Sequence, residues 1–449
     1  MKSPALALAL VALGGCFQSV VTEGRDEARD GGGGVADGGL DAGRDAGRDA
    51  GFDAGRPDLG LPDVGFDLGL DLGPPDTGVD LGVPPPPPEL RAPAFGTLTG
   101  SLHAPADGLN APLRPWLLWA PVAEAERYRV QLAACPGGPW EDCSFASPEV
   151  DVQVRGAAAR AGDALRFRPA EPLPVATTPP VGRRYVWRVA SCDTVGCGDF
   201  SPSRYLFVGR DRHDLDGDGY GELVVAAQGS SDDVPEYPGR VLVYRGGPMG
   251  PAASPEWTLE TPNPVGLGAF GAFMAALGDM DGDGFGDLAI AAPAEVSGGL
   301  PTGRAYVFRG GAMGPVSTPI VLDAPRRGLF ASFGRPAALG DLNGDGFADL
   351  AIANAPDEVY VYLGGEVVPT MPDASLRPPA LDAPILTASF AQVVAGPGDV
   401  DGDGYPELLV AASRESGRGG VGLLYPGGAG AVASMPRWAA DESVVPTDR

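Results

Sequence analysis

Four stretches of the chain set oxygen-bearing side chains at one spacing. They are Asp214-Leu-Asp216-Gly-Asp218-Gly-Tyr220-Gly-Glu222, Asp279-Met-Asp281-Gly-Asp283-Gly-Phe285-Gly-Asp287, Asp341-Leu-Asn343-Gly-Asp345-Gly-Phe347-Ala-Asp349 and Asp399-Val-Asp401-Gly-Asp403-Gly-Tyr405-Pro-Glu407. Side-chain oxygens at positions 1, 3, 5 and 9, with the backbone carbonyl of position 7, can wrap one hard cation. Calcium takes about 6–8 oxygens at about 2.3–2.6 Å in flexible geometry, whereas magnesium demands a stricter octahedron. No loop contains His or Cys, so sites for softer metals are not expected. Glycines at positions 4 and 6 permit a sharp turn through positive φ angles that other residues resist. The expectation is about four structural calcium ions, one per loop.

Such loops need rigid elements on either side. An EF-hand begins similarly, but it requires a bidentate Glu at position 12 and flanking helices. Here position 12 is Val225, Ile290, Ile352 or Val410, inside the apolar runs Leu223–Ala227, Leu288–Ala292, Leu350–Ala353 and Leu408–Ala412. These read as strands, so each loop is expected to join two strands. The loops begin at 214, 279, 341 and 399, a period near 60 that points to a propeller or array of β units. Each unit repeats one order. An aromatic comes first (Phe270, Phe333, Phe390), then the loop, then a β run. A further strand follows, such as Gly239–Tyr244, Gly303–Phe308 or Val359–Tyr362, and Trp257 and Trp438 mark the fourth strand of two units.

This pattern resembles the FG-GAP repeat of integrin α-subunit β-propellers over nearly all of Arg210–Arg449. The Phe-Gly half stands at Phe270-Gly271 and Phe333-Gly334, while Phe390 is followed by Ala391; the Gly-Ala-Pro half is Ala291-Ala292-Pro293 and Asn354-Ala355-Pro356. The resemblance implies calcium in the loop between the first two strands of each blade, bound at positions 1, 3, 5, 7 and 9. Asn343 replaces an aspartate, so the third site is expected to be weaker. The family's seven blades would need roughly 420 residues, against the 240 from Arg210 onward. A four-bladed propeller, an open arc and a ring completed by another chain all remain open, and an unprotected edge strand would favour self-association. Tyr205–Val208 lies where the first blade needs its inner strand, yet it also reads as the last strand of the preceding domain.

That domain, residues 89–209, reads as a small β-sandwich. Leu118-Trp119-Ala-Pro121 precedes the alternating strand Tyr128-x-Val130-x-Leu132; Tyr185-x-Trp187-x-Val189 alternates again, and Tyr205-x-Phe207 follows Ser201-Pro202. The arrangement resembles a fibronectin type III domain, with Phe145–Pro180 fitting it poorly. Cys135, Cys143, Cys192 and Cys197 all lie here, an even number that favours disulfides in an exported protein. Local pairs, Cys135–Cys143 and Cys192–Cys197, would staple two hairpins, and the other two connectivities stay open. The spacings lack the C-x2-C signature of zinc sites.

The N-terminus reads as an address. Met1-Lys2 and the apolar run Ala5–Leu13 form a signal peptide (residues 1–15) too short to span a bilayer, which needs about 20 apolar residues. Leu13-Gly14-Gly15-Cys16 resembles the lipobox of bacterial lipoproteins, which implies cleavage before Cys16 and lipidation of its thiol. Phe17 rather than Asp follows, so an outer-membrane lipoprotein, surface-exposed or facing the periplasm, is expected. Residues 16–88 are repetitive in Asp, Gly and Pro, with Phe17, Phe52 and Phe66 the only aromatics, and read as a disordered tether. As a coil its last 72 residues would span roughly 45–50 Å.

Composition bounds the function. The chain has 449 residues, 59 Asp and Glu against 32 Lys and Arg, and a net charge of −27. Gly (69) and Pro (48) make about a quarter of it, which suits loops and β turns and not helical bundles. The tether carries 15 acids and five arginines and the four loops carry 15 acids, so the rest is nearly neutral. The acidity thus belongs to a solvated tether and to cation sites, and no nucleic-acid partner is expected. The only lysine is Lys2 and the only histidines are His103 and His213, which leaves little for lysine or histidine catalysis. No Gly-x-Ser-x-Gly elbow or His-containing metal cluster occurs, and no catalytic residues are assigned. The expected class is all-β, and the expected function is adhesion or protein recognition at the cell surface. A carbohydrate-binding propeller is the alternative, and an envelope hydrolase follows at a distance.

Overall fold

The computed structural model describes residues 84–103, 112–227, 238–263, 268–297, 300–326, 332–355, 358–379, 390–413, 420–430 and 432–441. The signal peptide, Cys16 and the tether up to residue 83 lie outside the described residues. The last five tether residues, Pro84–Pro88, are described, and Pro85 and Pro88 are buried. The described chain is all-β apart from a helical turn, Gly156–Ala159, and a short 3-10 turn, Trp140–Asp142.

Residues 90–208 form two facing sheets. One contains Leu90–Ala92, Leu117–Trp119, Ala164–Phe167 and Arg160–Ala161. The other contains Thr97–Leu98, Arg204–Val208, Arg183–Cys192, Arg127–Ala134 and Val150–Arg155, with Cys197–Phe200 branching from Arg183–Cys192. The alternation legible in the sequence is the alternation of the core. Trp119 meets Tyr128, Val130, Leu132, Tyr185, Trp187 and Val189 between the sheets. The disulfides are Cys135–Cys143 and Cys192–Cys197, the two local pairs.

Four antiparallel blades follow. The first has three strands, Leu223–Ala227, Arg240–Tyr244 and Trp257–Glu260. The second is Phe273–Gly278, Asp287–Ala292, Arg304–Phe308 and Ile320–Asp323. The third is Ser332–Gly340, Asp349–Ala355, Glu358–Tyr362 and Ala374–Leu376. The fourth is Val393–Gly398, Glu407–Ser413, Gly420–Tyr425 and Trp438–Asp441. The second strand of each blade reads as a continuous apolar run because both its faces are covered by neighbours. Phe270, Phe333 and Phe390, the aromatics that precede the loops, are fully buried in the seams between blades one and two, two and three, and three and four. Among the described residues no core cluster joins blade four to blade one.

The competition over Tyr205–Val208 is resolved by strand periodicity. Arg204–Val208 pairs antiparallel with Arg183–Trp187 and in parallel with Thr97–Leu98, so it belongs to the sandwich, and among the described residues the first blade has no inner strand. The first loop therefore joins strands of two different sheets, unlike the other three. Leu206 and Val208 face the sandwich core, while Tyr205 and Phe207 face the other way, into a cluster with Phe95 and Tyr405.

Candidate metal centres

The four loops share one hydrogen-bond scheme. The position-1 aspartate accepts the position-6 glycine N–H: Gly219 to Asp214 at 2.8 Å, Gly284 to Asp279 at 2.9 Å, Gly346 to Asp341 at 3.0 Å and Gly404 to Asp399 at 2.9 Å. Position 3 accepts the N–H of position 5, and position 5 that of position 7, at 2.9–3.3 Å. Each side chain at positions 3 and 5 thus folds the loop with one oxygen. The position-4 and position-6 glycines have φ between +71° and +107°, as their role in the turn requires. Position 9 pins the loop to its blade. Asp287 accepts Met280 N–H at 2.7 Å and Gly310 N–H at 2.9 Å, and Asp349 accepts Leu342 N–H at 2.6 Å and Gly364 N–H at 2.8 Å.

Carboxylate oxygens of Asp214, Asp216, Asp218 and Glu222 lie within 4.8 Å of one another, as do those of Asp399, Asp401, Asp403 and Glu407. In the second loop Asp279, Asp281 and Asp287 gather within the same distance, and Asp283 stands outside that set. Four buried oxygens in these loops make no hydrogen bond: Asp214 Oδ1, Asp216 Oδ2, Asp279 Oδ1 and Glu407 Oε1, of which Asp216 Oδ2 lies 2.7 Å from the Arg245 guanidinium. Converging carboxylates, with a buried oxygen in each set left without a hydrogen bond, fit a hard divalent cation. Burial first, then the adjoining carboxylates, pushes Asp214 up to about 7 and Glu222 to about 8. In the second loop Asp279 rises to about 7, despite Arg210, and Asp287 to about 8. In the fourth, Glu407 rises to about 7. These are the shifts expected of clustered acids that a cation would relieve.

The third loop is built differently. Both oxygens of Asp341 are already taken: Oδ1 accepts Gly344 N–H at 2.7 Å and Asp345 N–H at 3.0 Å, and Oδ2 accepts Gly346 N–H and the hydroxyl of Tyr205. Asn343 donates its amide to Asp345 at 2.7 Å. Among the described residues Asp341, Asp345 and Asp349 do not converge as the other sets do, and no third-loop oxygen is buried without a partner. The sequence expects calcium at all four loops, most weakly at the third; the structure brings three carboxylate sets together and bonds Asp341 of the third loop to protein groups.

Several contributors were missed from sequence. Arg245 pairs with Asp216 at 2.7 Å and Asp218 at 3.2 Å, Arg309 with Asp281 at 3.3 Å, and Arg437 with Asp401. The first two follow a tyrosine or phenylalanine at a strand end and precede Gly-Gly, a repeat that was visible. The third loop, with neutral Asn343, has Leu363 at that place. The sandwich also touches every loop. Val181 N–H donates to Gly217 O at 3.0 Å, Arg210 lies 3.5 Å from Asp279, Trp140 donates to Gly344 O at 2.8 Å, and Phe95 N–H donates to Gly404 O at 2.9 Å. The rings at position 7 have packing roles too. Phe285, Phe347 and Tyr405 each cover the position-4 glycine of the preceding loop, and Tyr220 stacks on His103 at 4.1 Å.

Comparison with known proteins agrees with this geometry. Residues 270–308 and 392–435 match the FG-GAP repeat, and residues 341–410 match the FG-GAP-like repeat. The chain is similar to integrin alpha-PS2 of Drosophila melanogaster, 33% identical over 168 residues, covering 33% of this chain and 11% of that protein. It is similar to mouse integrin alpha-3, 35% identical over 159 residues, covering 32% and 14%, and to mouse integrin alpha-IIb, 35% identical over 153 residues, covering 30% and 14%. The similarity thus spans only 11–14% of the length of these relatives. The residues matched to the FG-GAP and FG-GAP-like repeats lie in blades two to four and their connections.

Proposed function

We propose that the chain is a lipid-anchored bacterial envelope protein whose calcium-stabilised FG-GAP blades mediate adhesion or protein recognition without catalysis. The observation that carries this reading is the convergence of carboxylates in loops one, two and four, each set with at least one buried oxygen that makes no hydrogen bond. Calcium in these loops is structural: the ligands sit between blade and sandwich, held by backbone N–H groups, with little room for a substrate at the ion. The sandwich, of fibronectin type III type in this reading, acts as the platform on which the loops rest. Cys16, acylated on its thiol and then made the N-terminus by cleavage, holds the protein at the outer membrane, and the tether serves as a spacer. A protein or glycan at the cell surface is the ligand.

Two experiments test the proposal. Globomycin-sensitive processing and membrane fractionation of wild type against Cys16→Ser should show membrane association only for the wild type; a soluble wild-type protein would refute the anchor. Capture of envelope proteins on the immobilised chain, with calcium and then with EDTA, should yield a specific partner released by chelation. Identical capture in both conditions would refute a calcium-dependent recognition face.

A further inference from the structure

The seams between blades follow a rule that the last blade leaves half-fulfilled. At each seam the position-2 residue of one loop is covered by the next blade: Leu215, Met280 and Leu342 are buried, and their carbonyls accept the N–H of Gly311, Gly365 and Gly428 at 2.9–3.0 Å. Val400, the same position in the fourth loop, is 59% exposed. The position-4 glycines of the first three loops are covered by rings of the next blade, whereas Gly402 has nothing within 4 Å. Blade four therefore presents an uncovered seam.

The outer strands show what would cover it. Trp257, first residue of the last strand of blade one, donates its indole N–H to Met313 O of blade two at 3.0 Å. Its ring lies so close to Gly314 that a Cβ there would sit 2.1 Å away, so only glycine fits under the indole. The receiving turn is Gly310-Gly311-Ala312-Met313-Gly314. Trp438 holds the equivalent place in blade four, since it pairs with Leu424 as Trp257 pairs with Val243. It is 54% exposed. Blade one carries the matching turn, Gly246-Gly247-Pro248-Met249-Gly250, closed by the same bridge (Pro248 to Gly250, as Ala312 to Gly314), and Gly250 has open space around it at φ +96°. One molecule thus carries an unused indole at one end of its blade stack and an unused glycine turn at the other.

We propose that this chain self-associates head to tail, with Trp438 of one copy seated on the Gly247–Gly250 turn of a second. The contact repeats between copies the one that Trp257 makes within the chain. Tyr220 is already covered by His103 of the sandwich, so the seam between copies is confined to the outer halves of the blades. The interface is heterologous: each copy uses a different patch, which builds closed rings or open strings rather than symmetric pairs.

Sedimentation velocity on the full chain tests this, with Cys16→Ser throughout so that no acyl chain contributes. The parent should associate with rising concentration. Trp438→Ala should weaken association at least about tenfold, the effect of losing an aromatic anchor. Gly250→Asn should do the same from the other side, because Asn tolerates positive φ yet places a Cβ where the indole would lie. An equimolar mixture of the two variants should restore a dimer and nothing larger, since each supplies the half that the other lacks. That outcome also shows that both are folded. A parent that stays monomeric at every concentration, a variant that associates as the parent does, or a mixture that stays monomeric would each overturn the proposal.

Discussion

Tyr205, on the last strand of the sandwich, gives its hydroxyl hydrogen bond to Asp341, the first carboxylate of the third loop, and both residues are buried. One strand thereby belongs to one domain by its backbone and serves the next by its alternate side chains. Its neighbour Arg204 lies 3.9 Å from Asp399 of the fourth loop, and Arg210, just beyond the strand, reaches Asp279 of the second. The first aspartates of three successive loops are thus met by three residues from one short segment.

Tyr205→Phe should separate these roles. Removing a hydrogen bond to a buried charged group should cost about 1.5–3 kcal/mol, read as a fall in the urea midpoint. With only the Gly346 N–H left on Asp341 Oδ2, a bond matched at the position-1 aspartates of the other loops, the variant should also bind one more calcium ion than the wild type. Unchanged stability and unchanged stoichiometry together would show that the bond is of no consequence.

Loss of one converging site should be local. Asp279→Asn with Asp281→Asn should remove one calcium ion and lower the melting temperature of the blades, while near-ultraviolet signals from Trp119 and Trp187 in the sandwich persist. At calcium near 100 times the dissociation constant, a single site contributes about 2.7 kcal/mol. A double variant that keeps its ion count would place the second site elsewhere.

The pH response should invert with chelation. Asp214, Asp279, Glu222 and Asp287 sit at about 7 to 8 in the folded, cation-free protein, because burial and neighbouring carboxylates oppose their charge. In the unfolded chain such groups titrate near 4. Between these values the native state holds protons that the unfolded state does not, so in EDTA stability should rise as pH falls from 8 towards 5 and be lost as pH rises through 7–8. With calcium present, protons compete for the same oxygens, so the gain from calcium should shrink over that fall. Melting curves at several pH values, with and without EDTA, read both effects. A chelated protein that grows less stable on acidification across that range would contradict the assignment.

The blade seams should tolerate little. Phe333→Ala empties a fully buried site between blades two and three and should cost about 3–5 kcal/mol. By contrast Arg309→Gln removes an ion pair from a half-exposed guanidinium and should change stability by no more than about 1 kcal/mol. Denaturant unfolding of both variants checks the contrast.

Much of the architecture was legible because it rests on local signals. The loop spacing, the apolar runs after each loop and the preceding phenylalanines each reflect one blade's own needs, and the Tyr128 and Tyr185 strands alternate because one face is buried. What escaped depends on which blade lies beside which. The sequence cannot show that Tyr205 turns away from its own domain to close the third loop. It cannot show that Arg245 and Arg309 fold back over position 3, although the Arg-Gly-Gly repeat was present, or that Asp283 stands apart from its neighbours. Position 7 enters the sequence reading only through its carbonyl, yet the rings of Phe285, Phe347 and Tyr405 pack on the position-4 glycine of the preceding loop.

In the proposed function loops one, two and four hold calcium, while protein groups bond to Asp341 of the third. Native mass spectrometry of the full chain after exchange into calcium tests it most directly. Three calcium ions per chain, falling to two when Asp214 and Asp216 are both changed to Asn, is the expected result. A chain that retains no calcium, or one that retains a fourth ion lost on changing Asp341 to Asn, would contradict it.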